Sequence, residues 1–122
     1  MADAYILQTN PATIPVPGNK SIIEHFGGAT TGHTQFSLAH MVAPPGWGEP
    51  HQTPEFDEVT LMLRGKKEVE VNGEVIELRA GQSILIKKGN RVRYSNPFEE
   101  NAEYVSLCLP AFSPATVNRE EE

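Results

Sequence analysis

From residue 21 onward the chain is built of short runs in which apolar and polar side chains alternate, each closed by a turn residue. Alternation of period two is the mark of a half-buried strand. The pattern predicts strands at residues 21–26, 34–42, 56–63, 68–71, 75–78, 83–87, 92–96 and 104–109. Gly27-Gly28, Pro44-Pro45-Gly46, Gly65, Asn72-Gly73, Gly81, Gly89 and Asn96-Pro97 fall between them. Many short strands with turns at this spacing imply a sandwich or barrel. The sharpest local signal is KKEVEVNGEVIEL, where Asn72-Gly73 suits a two-residue type I′ turn because both positions need positive φ. That turn sets Val69 opposite Ile76. Val69, Val71, Ile76 and Leu78 then share one face, and Glu68, Glu70, Val75 and Glu77 the other. Helix content is expected to be small. Ser113 as a cap with Pro114 at the first position marks one short candidate, with frayed coil as its rival.

Ahead of the strands, residues 1–19 read as an extended arm, since Pro11, Pro15 and Pro17 forbid a helix interior there. Residues 20–112 form the expected barrel, and residues 113–122 an acidic tail ending in three glutamates. At 122 residues the chain holds one core. Its net charge of −6 disfavours a nucleic-acid partner, because phosphate contacts need a basic face. The single cysteine, Cys108, rules out an intrachain disulfide and a four-cysteine zinc site. No uncharged apolar run reaches the roughly 20 residues of a membrane helix, and the start lacks the pattern of a signal peptide. No membrane association and a cytoplasmic location are therefore the expectation.

Candidate chemistry concentrates between Gly46 and Gly65, GWGEPHQTPEFDEVTLMLRG. If Glu58 points inward, strand alternation carries Thr60 and Met62 with it. A His and a Glu converging inside a barrel can bind a metal or move a proton. This segment resembles the first motif of the cupin superfamily, G-x5-H-x-H-x(3,4)-E-x6-G. His51 takes the first His position, Glu58 the Glu position and Gly65 the closing Gly, with Thr53 at the second His position. GQSILIKKGNRVRYSN resembles the second motif, G-x5-P-x-G-x2-H-x3-N. Gly81, Gly89 and Asn96 lie in register, while Lys87 stands for the Pro and Val92 for the His. FDEVTLMLRG and AGQSILIKKGNRVRYSNP are also similar to the ethanolamine-utilisation Q-type cupins.

The resemblance implies an all-β double-stranded β-helix, the jelly-roll-type cupin barrel. It also implies a metal site of three His and one Glu, of which this chain keeps one His and the Glu. No cofactor is therefore expected, with a divalent metal on His51, Glu58 and His40 as the minor alternative. His40 enters because it has the parity of Phe36, Leu38 and Val42. Without a metal, desolvation of Glu58 would raise its pKa toward a useful acid–base range. Glu58 and His51 are the expected catalytic pair. Thr53, Thr60, Met62, Tyr94, Asn96, His40 and Trp47 are the expected ligand contacts. Arg64 shares the parity of Glu58 and can pair with a carboxylate. Arg91 and Arg93 are expected to point outward.

The function expected is binding of a small polar ligand, carboxylate-bearing or sugar-like, with metal-independent isomerase, lyase or cyclase chemistry. A non-catalytic binding module and a metal-dependent enzyme with a variant site are the alternatives. The arm and the run KSIIEHF hold more extended chain than a small barrel needs, so a homodimer is expected, covering open strand edges.

Overall fold

The computed structural model describes residues 4–121. Nine strands are present among them: β1 Ala12–Thr13, β2 Ser21–Phe26, β3 Ser37–Ala43, β4 Asp57–Arg64, β5 Lys66–Val71, β6 Glu74–Arg79, β7 Ser83–Ile86, β8 Val92–Ser95 and β9 Ala102–Leu109. All pairings are antiparallel. A six-stranded sheet runs β1-β2-β3-β9-β4-β7, and a three-stranded sheet runs β6-β5-β8. This is the all-β double-stranded β-helix expected. No helix is present among the described residues, and so none that is long and apolar enough to cross a membrane.

The β5–β6 hairpin forms in the register its sequence dictates. Asn72 and Gly73 have φ of 49° and 88°, and Val69 pairs with Ile76. Its inward side chains pack against β4, β8 and β9 in a core of Met62, Val69, Leu78, Val92, Tyr94 and Tyr104. That core fills only the end of the barrel beneath the smaller sheet. The β2-β3-β9 part of the larger sheet extends past it, and there the arm, the loops and the tail do the covering.

Both chain ends are more structured than composition suggests. The arm pairs Ala12 with Glu24 and Thr13 with Ile23, so the chain's own residues cover the edge of β2. KSIIEHF belongs to the barrel's larger sheet through β2. At the other end Ser113 caps a single turn, its Oγ accepting the Ala115 N–H at 3.1 Å, and no helix follows. Val117 is instead buried against Phe56 and Cys108, and Glu120 pairs with Arg91 at 2.7 Å. The tail is thus anchored by the Val117 side chain, by the ion pairs of Glu120 with Arg91 and Arg119 with Glu49, and by backbone bonds to residues 51–55. The outer face of the larger sheet exposes Leu61, Leu63 and Leu85.

Two glycines separate conformational need from crowding. Gly65 joins β4 to β5 at φ 68°, and a Cβ there would run into the backbone carbonyl of Asn101. Gly73 has φ 88° with open space around it. Gly73→Ala is expected to cost about 1 kcal/mol, the backbone term alone. Gly65→Ala is expected to cost more than about 2 kcal/mol, because backbone must move as well. Urea denaturation of both variants checks this; equal losses would mean the Gly65 crowding relaxes freely.

Candidate functional site

The barrel encloses a cavity of about 1080 Å³, at the upper end of ordinary ligand clefts. Strand alternation sets its wall. From β4 comes Glu58, from β8 Tyr94, and from β9 Tyr104, Ser106 and Cys108. From β3 come Ser37, Ala39 and Met41. The β5 strand contributes Lys67, two residues before Val69 on the same inward face. Trp47, on the loop between β3 and β4, lines the cavity with its neighbour Glu49.

The cavity floor sets a carboxyl group and an amino group among aromatics. Tyr94 donates its hydroxyl hydrogen to Glu58 Oε1 at 3.2 Å. Lys67 is 1% exposed, and its Nζ lies 3.6 Å from the Tyr104 ring centroid and 4.4 Å from that of Tyr94. Such cation–π placement offsets part of an ammonium's desolvation. Desolvation dominates both charges nonetheless. It raises the Glu58 pKa above the ordinary carboxylate range, against the opposing pull of Lys67 and the hydroxyls of Ser106 and Tyr94. It lowers Lys67 to about 7, opposed by the charge of Glu58. Burial also holds the Tyr94 and Tyr104 phenols well above their usual range, so both stay protonated and Tyr94 remains a donor. Burial likewise pushes the Cys108 thiol up, which keeps it from being a nucleophile.

The expected residues divide into those the fold brings together and those it does not. Glu58, Tyr94 and Trp47 line the cavity. Thr60 and Met62 share the inward face with Glu58, but each is 1% exposed and packed beneath the cavity rather than on its surface. Asn96 is structural: its amide donates to the carbonyls of Ala43 at 3.0 Å and Glu100 at 2.8 Å, tying the β8 end to the loop after it.

Four placements are corrected by geometry. His51 does not meet Glu58. Its Nε2 lies 2.8 Å from Glu70 Oε2, and Glu70 alternates with the inward Val69 and Val71, so this pair sits on the outer face of the smaller sheet. The neighbouring Gln52 takes the inward position instead. Thr53 is likewise engaged along its backbone, its carbonyl accepting the Asn118 amide at 3.0 Å. His40 points outward, paired with Glu103 at 2.8 Å, because the inward positions of β3 are Ser37, Ala39, Met41 and Ala43. A register shift between Met62 and Arg64 removes Arg64 from the parity of Glu58 and leaves it exposed, where it does pair with a carboxylate, that of Glu103 at 3.9 Å. Arg91 and Arg93 do point outward.

A divalent metal does not fit this set of groups. Among the described residues no three His, Cys, Asp or Glu side chains stand close enough to share an ion. Beside Glu58 the barrel places an ammonium and two hydroxyls, which repel or only weakly bind a divalent transition metal.

Reading the chain did not single out Lys67, Lys20, Glu24, Glu49 or Gln52. For Lys67 a signal exists: extending the hairpin alternation back by one step places a lysine on a buried face. Lys20 precedes β2 and stacks its Nζ 4.1 Å from the Trp47 ring. No period marks the loop that carries Glu49 and Gln52, so nothing in the sequence pattern aims those two, while Glu24 lies on β2, whose alternation does not say which face is inside.

Comparison with known proteins follows the architecture. The sequence profile described as "Cupin domain" matches residues 39–108. The chain is 43% identical over 107 residues to "Endoribonuclease YbeY" of Myxococcus xanthus (strain DK1622), covering 88% of this chain and 36% of that protein. It is 30% identical over 82 residues to "Polyketide synthase CurC" of Streptomyces cyaneus, covering 66% of this chain and 53% of that protein. The chain thus spans about a third and about half of these two relatives. The polyketide cyclase RemF from Streptomyces resistomycificus superposes with a TM-score of 0.76 at 14% identity, over 99% of this chain and 88% of that one.

The shifted lysine has a consequence for stability. Between about 7 and 10.5 the folded chain holds Lys67 neutral while the unfolded chain protonates it. The stability contributed by Lys67 therefore rises with pH across that window and is lost as pH falls toward 7. Lys67→Met is expected to compare best with the wild type at pH 7 and below, and progressively worse toward pH 10.5. Chemical denaturation across the window measures it. A difference flat with pH would show that Lys67 keeps its ordinary proton affinity in the fold.

Proposed function

This chain belongs to the cupin superfamily, and from that premise we propose that it binds a small organic molecule in the barrel and moves a proton on it. Glu58 carries the proton, Tyr94 orients the carboxyl group, and Lys67 supplies the adjacent positive charge. The observation that carries this reading is one carboxyl group, raised by burial, at the wall of a cavity of about 1080 Å³ with a tyrosine hydroxyl 3.2 Å away. A carboxyl poised nearer neutrality donates and accepts protons efficiently. His51 has no part in this version, since it faces Glu70.

Isomerisation, elimination and cyclisation can each begin with proton transfer at carbon or oxygen, and the site suits that step. A carbonyl compound is the favoured ligand class. Removing a proton beside a carbonyl leaves an enolate, and the Lys67 amino group can meet its oxygen while Tyr94 stays on Glu58. The polyketide names of two related proteins agree with this class. The endoribonuclease name belongs to a protein of which this chain matches 36%, so it adds no argument about this barrel.

Deuterium uptake from D2O into 1-phenyl-2-propanone, followed by proton NMR, tests the reading. The wild type is expected to speed uptake over buffer, and Glu58→Gln to lose about a hundredfold or more of that rate. Binding of the ketone should stay within a few-fold. Equal uptake by the variant would remove Glu58 as the proton carrier. Binding without uptake in the wild type would leave a non-catalytic binding module.

A further inference from the structure

We infer that the cavity takes an organic anion, a planar apolar acid whose oxyanion sits between the ammonium groups of Lys20 and Lys67. This rests on the reading of the barrel as a small-molecule site and names the ligand's charge.

Both lysines project toward one aromatic ring. Lys67 Nζ lies 3.6 Å from the Tyr104 centroid and Lys20 Nζ 5.8 Å from it, and both residues line the cavity. Neither side chain makes an ion pair or a side-chain hydrogen bond among the described residues. Each ammonium carries three donors, and aromatic faces satisfy charge but not donor geometry. Both Nζ atoms therefore face the cavity space with donors that an arriving acceptor can take up.

The carboxylates of the cavity do not fill that role. Glu24 accepts the Thr30 hydroxyl at 2.6 Å. Glu49 faces Arg119 at 3.5 Å. Glu58 takes the Tyr94 hydrogen bond, and burial favours its neutral form. The charges of Glu49 and Glu58 act on both lysines, but among the described residues no carboxylate stands within ion-pair distance of either. Around the two lysines the wall is apolar, with Ile22, Met41, Trp47 and Phe112 facing the same space. A flat hydrocarbon body with one negative group matches that division.

Isothermal titration at pH 6 with 1-naphthoate and its neutral counterpart 1-naphthamide separates charge from shape. The wild type is expected to bind the carboxylate about tenfold or more tightly than the amide. Lys67→Met and Lys20→Met should each reduce that preference while leaving 1-naphthamide affinity nearly unchanged. Lys67→Arg should retain it. A merely structural lysine would weaken both probes together, which overturns the inference. Equal affinities in the wild type also overturn it, while leaving the small-molecule reading intact. Binding of neither probe, nor of 1-phenyl-2-propanone, would remove that reading and the inference with it. If Lys67→Met fails to fold, Lys20→Met and Lys67→Arg still decide, since Lys20 is only half-buried.

Discussion

A carboxyl group and an ammonium group, both taken out of water and set around the same tyrosines, govern the rest of this barrel. Glu58 and Lys67 reach the cavity from different strands, β4 and β5, that are joined by a single glycine turn. Desolvation opposes the charge on each, and each charge in turn eases the other. Both groups are biased toward their neutral forms by burial, and the charge of each partly restrains that bias in the other. A carboxyl group so placed is one whose proton a ligand can redirect. The tyrosines keep the exchange local, because their own protons are fixed by burial.

That pairing depends on register, and register is what the sequence expresses most plainly. Asn72-Gly73 fixes a two-residue turn, the turn fixes Val69 against Ile76, and alternation then fixes Lys67 inward. A slip by one residue would send Lys67 to solvent and bring Glu68 inside beside Glu58. Two buried carboxyl groups would then face one another with no cation between them. The hairpin is therefore part of the site, although none of its turn residues touches the cavity.

The same alternation explains what was legible and what was not. Glu58, Thr60 and Met62 share a parity that the chain displays, as do Tyr94 with Val92 and Tyr104 with Ser106, and all turn inward. His40 also obeys alternation, but the sequence does not say which of the two β3 faces is inside. Phe36 and Leu38 suggested the wrong one, because the outer face of this sheet is itself rich in apolar residues. His51 precedes β4 in a stretch without regular strand periodicity. Its direction is set by tertiary bonds: Gln52 bridges to Val92, and Glu70 accepts the imidazole. Motif spacing locates such a residue along the chain without orienting it. The tail is the converse case, since three terminal glutamates conceal the buried Val117 that docks it.

The division between packed core and open cavity has a simple source in the lengths of the two sheets. Three strands cannot cover six, so the smaller sheet packs a dry core over β4, β7 and the adjoining part of β9. The remaining span of β2, β3 and β9 must be roofed by irregular chain. Irregular chain supplies few interlocking side chains, and it carries polar groups that prefer partners to hydrocarbon. Lys20, Glu24, Glu49 and Arg119 all enter the cavity from this side or from β2 beneath it. The volume and the charge are thus two results of one imbalance. A smaller sheet long enough to cover β2 and β3 would fill the space with apolar side chains and leave Glu58 with no room for a ligand.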